Sequence, residues 1–288
     1  MKIEEAVFPV AGLGTRMLPA TKSVAKELFP LLNKPVIQYD VEEAAAAGIS
    51  KMVFIINPGK HSVDGYFKRV PELEKELKRK GKNELAEELK KISSLAKIVT
   101  VSQPEPLGLG HAVLMAKSKI QGKYFAVFYP DDVMDCAVPC MKQMVDAFSR
   151  YPVAMVAVEP TDEEGLKRYG IVKVEPTPNP RLHRIVDIVE KPGVQKAPSK
   201  LAVMGRLILP KEIFGLIEKT EPGHGGEIQL TDAIKSLLKK QPVYAYEFKG
   251  ERLDAGEVEG YVMATLKLAL KNPTFKKNLL KYIRTLSC

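Results

Sequence analysis

The chain of 288 residues carries three cysteines, Cys136, Cys140 and Cys288. So low and odd a number excludes a disulfide framework. Cys136 and Cys140 would need two further ligands to hold zinc, and no other His or Cys lies near them in sequence. Apolar runs of the roughly 18 residues that a membrane span needs are missing. The N-terminus holds Lys2, Glu4 and Glu5 and has no apolar core of signal-peptide length. These absences point to a soluble, reducing, cytoplasmic setting without a membrane partner. Net charge is +9. The cations are scattered, however, and no basic stripe interleaved with aromatics is visible, which argues against a nucleic-acid partner. Neither an internal repeat nor a composition break divides the chain, so residues 1–288 read as one domain. The 45% hydrophobic content can fill a sizeable core.

What is present begins with Ala6-Val7-Phe8-Pro9-Val10-Ala11-Gly12-Leu13-Gly14-Thr15-Arg16. A short apolar run reads as a buried strand. Gly12 and Gly14 let the main chain turn and approach a ligand. Successive N–H groups in such a loop form an anion-binding concavity. Arg16 adds a planar fork of donors, and Lys22 and Lys26 add point charges. Met17 stands where a dinucleotide fingerprint has its third glycine, and the Gly-Lys-Ser/Thr ending of a P-loop is absent. A plain Gly-rich turn with surface cations is the bland alternative, and the three cations close behind the loop tip favour phosphate.

Val36 to Ala47 has helical apolar spacing, and Gly48 ends it. Lys51 to Ile56 reads as a strand buried on both faces, stopped at Asn57-Pro58-Gly59. Residues from about 67 to 97 form a Lys/Glu-rich helical insertion, broken near Gly81-Lys82, with an apolar stripe of Leu73, Leu77, Leu85, Leu89 and Ile92. Ile98 to Val101 is a strand leading through Gln103 and Gly108-Leu109-Gly110-His111 into a helix whose positive end can face an anion. The Gln103 amide offers donor and acceptor for a base edge, while His111 reads as structural. Tyr124 to Tyr129 is a buried strand ending in Pro130-Asp131-Asp132. Carboxylates there lie where open α/β sheets bind ligands. Asp131 is the metal-ligand candidate and Asp132 the capping candidate, since neighbours on an extended segment point to opposite faces.

Val153 to Val158, 169–174, 185–189 and 201–209 read as strands, the middle pair in a partly antiparallel region. A flexible loop, Gly223-His224-Gly225-Gly226, precedes a helix that Thr231 or Asp232 caps. Val243 to Phe248 alternates and reads as a sheet edge. Asp254 ends a further strand. A helix from about Glu259 to Lys271 and a basic tail make a C-terminal helical segment at about 259–288. Strand, helix and strand in this order make a βαβ unit, the mark of an α/β fold. Glycine loops, cations and two distant strand-end aspartates suit transfer at phosphorus, where positioning and charge neutralisation do most of the work.

Phe8–Arg16, Leu18–Ser23, Lys26-Glu27, Asn33–Tyr39, Gln103-Pro104 with Leu107–Ala112, Pro130-Asp131-Asp132, Tyr169-Gly170, Val189–Pro192, Gly226–Asp232 and Asp254 together resemble the bacterial UTP–glucose-1-phosphate uridylyltransferases (UDP-glucose pyrophosphorylases) of the sugar nucleotidyltransferases. The resemblance covers nearly the whole chain. It implies a nucleotide-diphospho-sugar transferase fold, a Rossmann-like mixed β-sheet flanked by helices, with UTP and glucose 1-phosphate giving UDP-glucose and pyrophosphate. By the same resemblance Ala11, Gly12, Gly14, Glu27, Gln103 and Gly108 would face the nucleotide. Arg16 and Lys26 would grip its phosphates, Asp131 and Asp254 would hold Mg²⁺, Gly170 and Glu190 the glucose, and Lys191 the sugar phosphate. A homo-oligomer, dimer or tetramer, is expected. Ala25 departs from the family, which often has proline there, and Tyr129 replaces a usual leucine. A dTTP-using thymidylyltransferase and a non-catalytic UDP-sugar-binding relative are the alternatives.

Overall fold

The computed structural model describes residues 1–58 and 62–286. Gly59 of the expected turn and Cys288 lie outside the described residues. Among the described residues, one nine-stranded sheet organises the chain. From one edge its order is Lys97–Ser102, Lys51–Ile56, Glu5–Pro9, Tyr124–Phe128, Leu201–Pro210, Ala154–Pro160, Val243–Glu247, Leu182–Glu190 and Gly170–Glu175. The first four run parallel. Leu201–Pro210 then runs antiparallel to both of its neighbours. Its first residues also pair with Gly170–Glu175, so the last strand folds back onto the middle of the sheet.

The apolar runs of the parallel strands are continuous because both faces are covered. Alternate residues go to opposite layers. Phe8, Phe54 and Phe128 face the helices Val36–Ala46 and Cys140–Arg150. The Phe8 ring stacks on Phe128 at 4.8 Å between centroids. Val7, Val53 and Val127 face the opposite layer, with Leu109–Met115 and Leu230–Leu238.

This arrangement brings two strand ends to one place. Glu5–Pro9 delivers the glycine loop and Tyr124–Phe128 delivers Asp131, side by side because these strands are parallel neighbours. A two-stranded ribbon, Asp132–Asp135 with Glu251–Asp254, sets Asp254 directly opposite Asp132. Arg206 is wholly buried beneath this corner. It binds Asp40 and Glu43 of the first helix and the carbonyls of Gly205 and Asp132. That network fixes the turn after Asp131 to the helix behind the glycine loop.

Several expectations are corrected. Val243–Glu247 is interior, paired with Ala154–Pro160 and Leu182–Glu190, and no edge. It reads as alternating because Tyr244 and Glu247 stay half-buried. Asp132 caps no helix: it is a buried anchor that accepts from Gly205 N–H at 2.9 Å and from Arg252 at 2.7 Å. The helix after the 223–226 loop starts behind Gln229 with no side-chain cap, and neither Thr231 nor Asp232 fills that role. The C-terminal helical segment consists of two helices, Val258–Lys271 and Pro273–Leu286. The insertion forms two helices, Pro71–Arg79 and Asn83–Ile92, turning at Gly81. Its leucine stripe is only partly covered, with Leu73 and Leu85 exposed and Glu74 buried against Arg69.

Candidate active site

The ends of these strands enclose a cavity of about 640 Å³. Gly12, Arg16, Lys26, Glu27, Asp131, Gly170, Glu190, Lys191 and Asp254, nine of the residues singled out in the sequence, line it. Lys26 reaches Asp131 with an Nζ–Oδ2 distance of 2.6 Å. Arg16 is more exposed and lies 3.8 Å from the same oxygen and 4.0 Å from Glu257. Burial would raise the Asp131 pKa, but Lys26, then Arg16 and Arg252, outweigh it and bring the carboxyl down to about 2. Burial would lower the Lys26 pKa, and Asp131 and Glu27 outweigh that and hold it above the usual lysine value.

Asp254 Oδ2 accepts from Arg252 at 3.0 Å, from Arg168 at 3.1 Å and from the Tyr169 hydroxyl at 3.1 Å. Its Oδ1 accepts from Gly256 N–H at 2.9 Å. A β-carbon on Gly256 would stand 2.6 Å from Asp131 Oδ2 and 3.1 Å from Asp254 Oδ1. Both carboxylates therefore border one spot that glycine keeps open. Ala255 N–H donates to Asp131 carbonyl at 2.8 Å and ties the two segments together.

On the opposite wall, Gly170 pairs with Glu190 across the sheet. Any β-carbon at Gly170 would press on Thr231 Cγ2 at 2.8 Å. Thr231 donates to Glu190 Oε2 at 3.0 Å, and Lys191 lies 3.6 Å from Oε1. Burial raises the Glu190 pKa against the lowering effect of Thr231 and Lys191. Lys191 holds a φ of +44°, a left-handed conformation that non-glycine residues seldom adopt, and its N–H donates to Tyr169 carbonyl.

The family model described as Nucleotidyl transferase matches residues 6–271. The chain belongs to the nucleotidyl transferase family. Among its relatives, UTP–glucose-1-phosphate uridylyltransferase 1 of Staphylococcus saprophyticus is 43% identical over 287 residues, covering 100% of both chains. A solved UDP-glucose pyrophosphorylase complexed with UDP-glucose superposes with a TM-score of 0.85 at 38% identity, covering 94% of this chain and 100% of that one. A UTP-bound UGPase from Acinetobacter baumannii gives 0.88 at 40% identity, covering 98% of each. These agree with the resemblance read from the sequence and with the mixed-sheet α/β fold.

In this nucleotidyl transferase, four of the predicted residues stand outside the cavity lining: Ala11, Gly14, Gln103 and Gly108. Ala11 is buried. Gly14, at φ +66°, makes the turn, and its carbonyl accepts from Thr21 at 2.8 Å. Gln103 is 3% exposed, and its amide nitrogen sits 2.9 Å from His111 Nδ1 and 3.4 Å from Gly108 carbonyl. Gly108 lies against Glu227 Cβ and the Ile228 backbone, and Gly110 against the Ile228 and Gln229 backbone. Gly110 N–H donates to Ile228 carbonyl at 2.8 Å, so one of the first N–H groups of the helix Leu109–Met115 is taken by its own chain, while Leu109 lines the cavity. Lys22 is exposed and also outside the lining.

Sequence reasoning missed Arg168, Arg252, Thr231 and Glu257, all of which line the cavity. Two signals were available. Arg252 and Asp254 stand two apart on a strand and so share a face. Arg168 precedes Tyr169-Gly170. Thr231 was noticed, but as a cap.

Proposed function

We propose that this protein makes UDP-glucose and pyrophosphate from UTP and glucose 1-phosphate. The observation that carries the reading is the single cavity holding Arg16, Lys26 and Asp131 on one wall and Gly170, Glu190 and Lys191 on the other. A nucleotide triphosphate on the glycine-loop side and a sugar phosphate on the Glu190 side meet between them. A β-carbon built on Gly12 would meet nothing within 4 Å beyond its chain neighbours, which suits backbone contact with the nucleotide. Ala11, Gln103 and Gly108 belong to the base side, and Gln103 is oriented through His111. Arg16 and Lys26 hold the UTP phosphates and take the charge of the departing pyrophosphate. Lys191 holds the sugar phosphate, and Glu190 accepts from glucose hydroxyls. The sugar phosphate oxygen attacks the α-phosphorus directly, in line with pyrophosphate. Positioning of the two anions supplies the rate, with no protein nucleophile.

Asp131 and Asp254 hold Mg²⁺. Their two oxygens beside Gly256 support this, since Mg²⁺ takes one or two carboxylates plus substrate phosphates. Charge supports it too. Six cationic side chains line the cavity (Arg16, Lys26, Lys167, Arg168, Lys191, Arg252) against seven acidic ones (Glu27, Asp131, Asp132, Glu190, Glu227, Asp254, Glu257) among the described residues. Such a lining does not offset two polyanions unaided. When bound, Mg²⁺ supplies charge neutralisation at phosphate oxygens. Among the described residues no helix is long and apolar enough to cross a membrane. We place the reaction in the cytoplasm. Exposed Val258, Val262, Phe275 and Ile283 on the C-terminal helices support a homo-oligomer.

The test is pyrophosphate release from UTP, glucose 1-phosphate and Mg²⁺, beside a panel with dTTP. Release with UTP, and loss of most of it in Asp131→Ala, is the expected result. Preference for dTTP overturns the uridylyl assignment, and no release at saturating substrates overturns catalysis.

A further inference from the structure

Arg252 is a buried arginine that connects two carboxylates on neighbouring strands. Its side chain is 9% exposed. Nε donates to Asp132 Oδ1 at 2.7 Å, Nη2 donates to Asp254 Oδ2 at 3.0 Å, and Nη1 donates to the Tyr169 hydroxyl at 2.9 Å. Tyr169 in turn donates to the same Asp254 oxygen at 3.1 Å. The ribbon register sets Asp254 against Asp132, two carboxylates facing each other across a strand pair. Like charges so placed repel. The planar guanidinium, held between them, makes that register compatible with two carboxylates. It also takes up Oδ2 of Asp254 and so leaves Oδ1 turned toward Gly256 and Asp131.

We propose that Arg252 is a positioning residue: it aims Asp254 Oδ1 at the cation site shared with Asp131, and Tyr169 holds it in that pose. This rests on the Mg²⁺ reading given above. Residues that orient a metal ligand from behind commonly change metal affinity or activity by about 10–100-fold when replaced. A lysine at this position keeps the charge but cannot serve Asp132, Asp254 and Tyr169 from one rigid plane. Tyr169→Phe keeps the packing and removes both hydroxyl contacts, the one to Arg252 and the one to Asp254.

The experiment uses the full chain and Mn²⁺ as a paramagnetic probe. Mn²⁺ binding is read by electron paramagnetic resonance in the presence of UTP, together with steady-state kinetics and thermal melting. For Arg252→Lys the expected result is Mn²⁺ affinity weakened about tenfold or more. The Mg²⁺ concentration for half activity rises in parallel, kcat falls at fixed Mg²⁺, and KM for glucose 1-phosphate stays within about threefold. Tyr169→Phe gives a smaller change of the same kind. Guanidinium added to Arg252→Gly restores part of the Mn²⁺ affinity. Unchanged Mn²⁺ affinity in both Arg252→Lys and Tyr169→Phe overturns the positioning role, whatever their melting temperatures. A parent protein that binds no Mn²⁺ with UTP overturns the metal reading itself and the positioning role with it.

Discussion

Gly108 decides between two explanations of the second glycine loop. As a nucleotide contact, its replacement by alanine would weaken UTP binding and leave the fold intact. The structure gives it a different load. Its φ is +109° and its ψ is 174°, a region that essentially only glycine enters. A β-carbon there would stand 2.8 Å from Glu227 Cβ and 2.9 Å from both Ile228 N and O. The backbone partner cannot swing aside as a flexible side chain can. Conformational strain costs about 1–3 kcal/mol and overpacking about 1–3 more. Gly108→Ala is therefore expected to destabilise by about 2–6 kcal/mol, measured by urea unfolding with the slope compared to the parent. Gly12→Ala is the control, because nothing lies within 4 Å of its β-carbon position. It should stay within about 0.5 kcal/mol of the parent in stability. A Gly108→Ala protein as stable as Gly12→Ala would refute the packing role and return the loop to ligand contact alone.

Two further changes read other parts of the molecule. Burial first, then Asp132 and Glu251, push the Glu159 carboxyl up from 4.5 to about 7 against the pull of Arg252. The folded state thus holds a proton that the unfolded state releases, so stability falls as pH rises from about 4.5 to about 7 and is level above. Glu159→Gln removes that fall, leaving it more stable than the parent at pH 8 by about 1–2 kcal/mol after discounting for partial exposure, read from denaturant midpoints at both pH values. Ala25 already holds φ at −61°, the angle a proline ring imposes, so Ala25→Pro should stabilise by about 0.4–1 kcal/mol, with a lower melting temperature as the contrary result.

Much of the sheet was legible because its central strands are buried on both faces. Ala6 to Phe8, Met52 to Ile55 and Phe125 to Phe128 are uninterrupted apolar runs, and a run bounded by turn residues needs no tertiary knowledge to read. The strand Val243–Glu247 was misread for the opposite reason. Half-burial of Tyr244 and Glu247 imitates the pattern of an edge. The cavity's first wall was legible because strand, glycine loop and cation follow one another within a dozen residues. Arg168 was not, since its partner Asp254 lies 86 residues on, and of Arg252 only the neighbouring Asp254 could be read locally, Tyr169 and Asp132 lying 83 and 120 residues earlier. The buried Arg206 was hidden in the same way, as a charged residue inside an apolar strand whose carboxylate partners lie 163 and 166 residues earlier.

The chain's net charge of +9 is not concentrated in the cavity, whose lining is nearly balanced. Its cations are already engaged. Lys26 is held by Asp131, Arg168 by Asp254 and Glu257, Arg252 by Asp132 and Asp254, and Lys191 lies beside Glu190. Arg16, the most exposed of them, sits at the long distances of 3.8 and 4.0 Å from its carboxylates. A polyanion entering such a cavity exchanges partners with carboxylates and does not fill a bare positive basin. Pairing before binding keeps each cation at a fixed place with its desolvation already offset, which is what positional catalysis of phosphoryl transfer requires. It also assigns the arginine and the lysine different duties. On the proposed reading Arg16, at 3.8 and 4.0 Å from its carboxylates, is the one that follows a phosphate, whereas Lys26, 2.6 Å from Asp131, stays where the fold puts it.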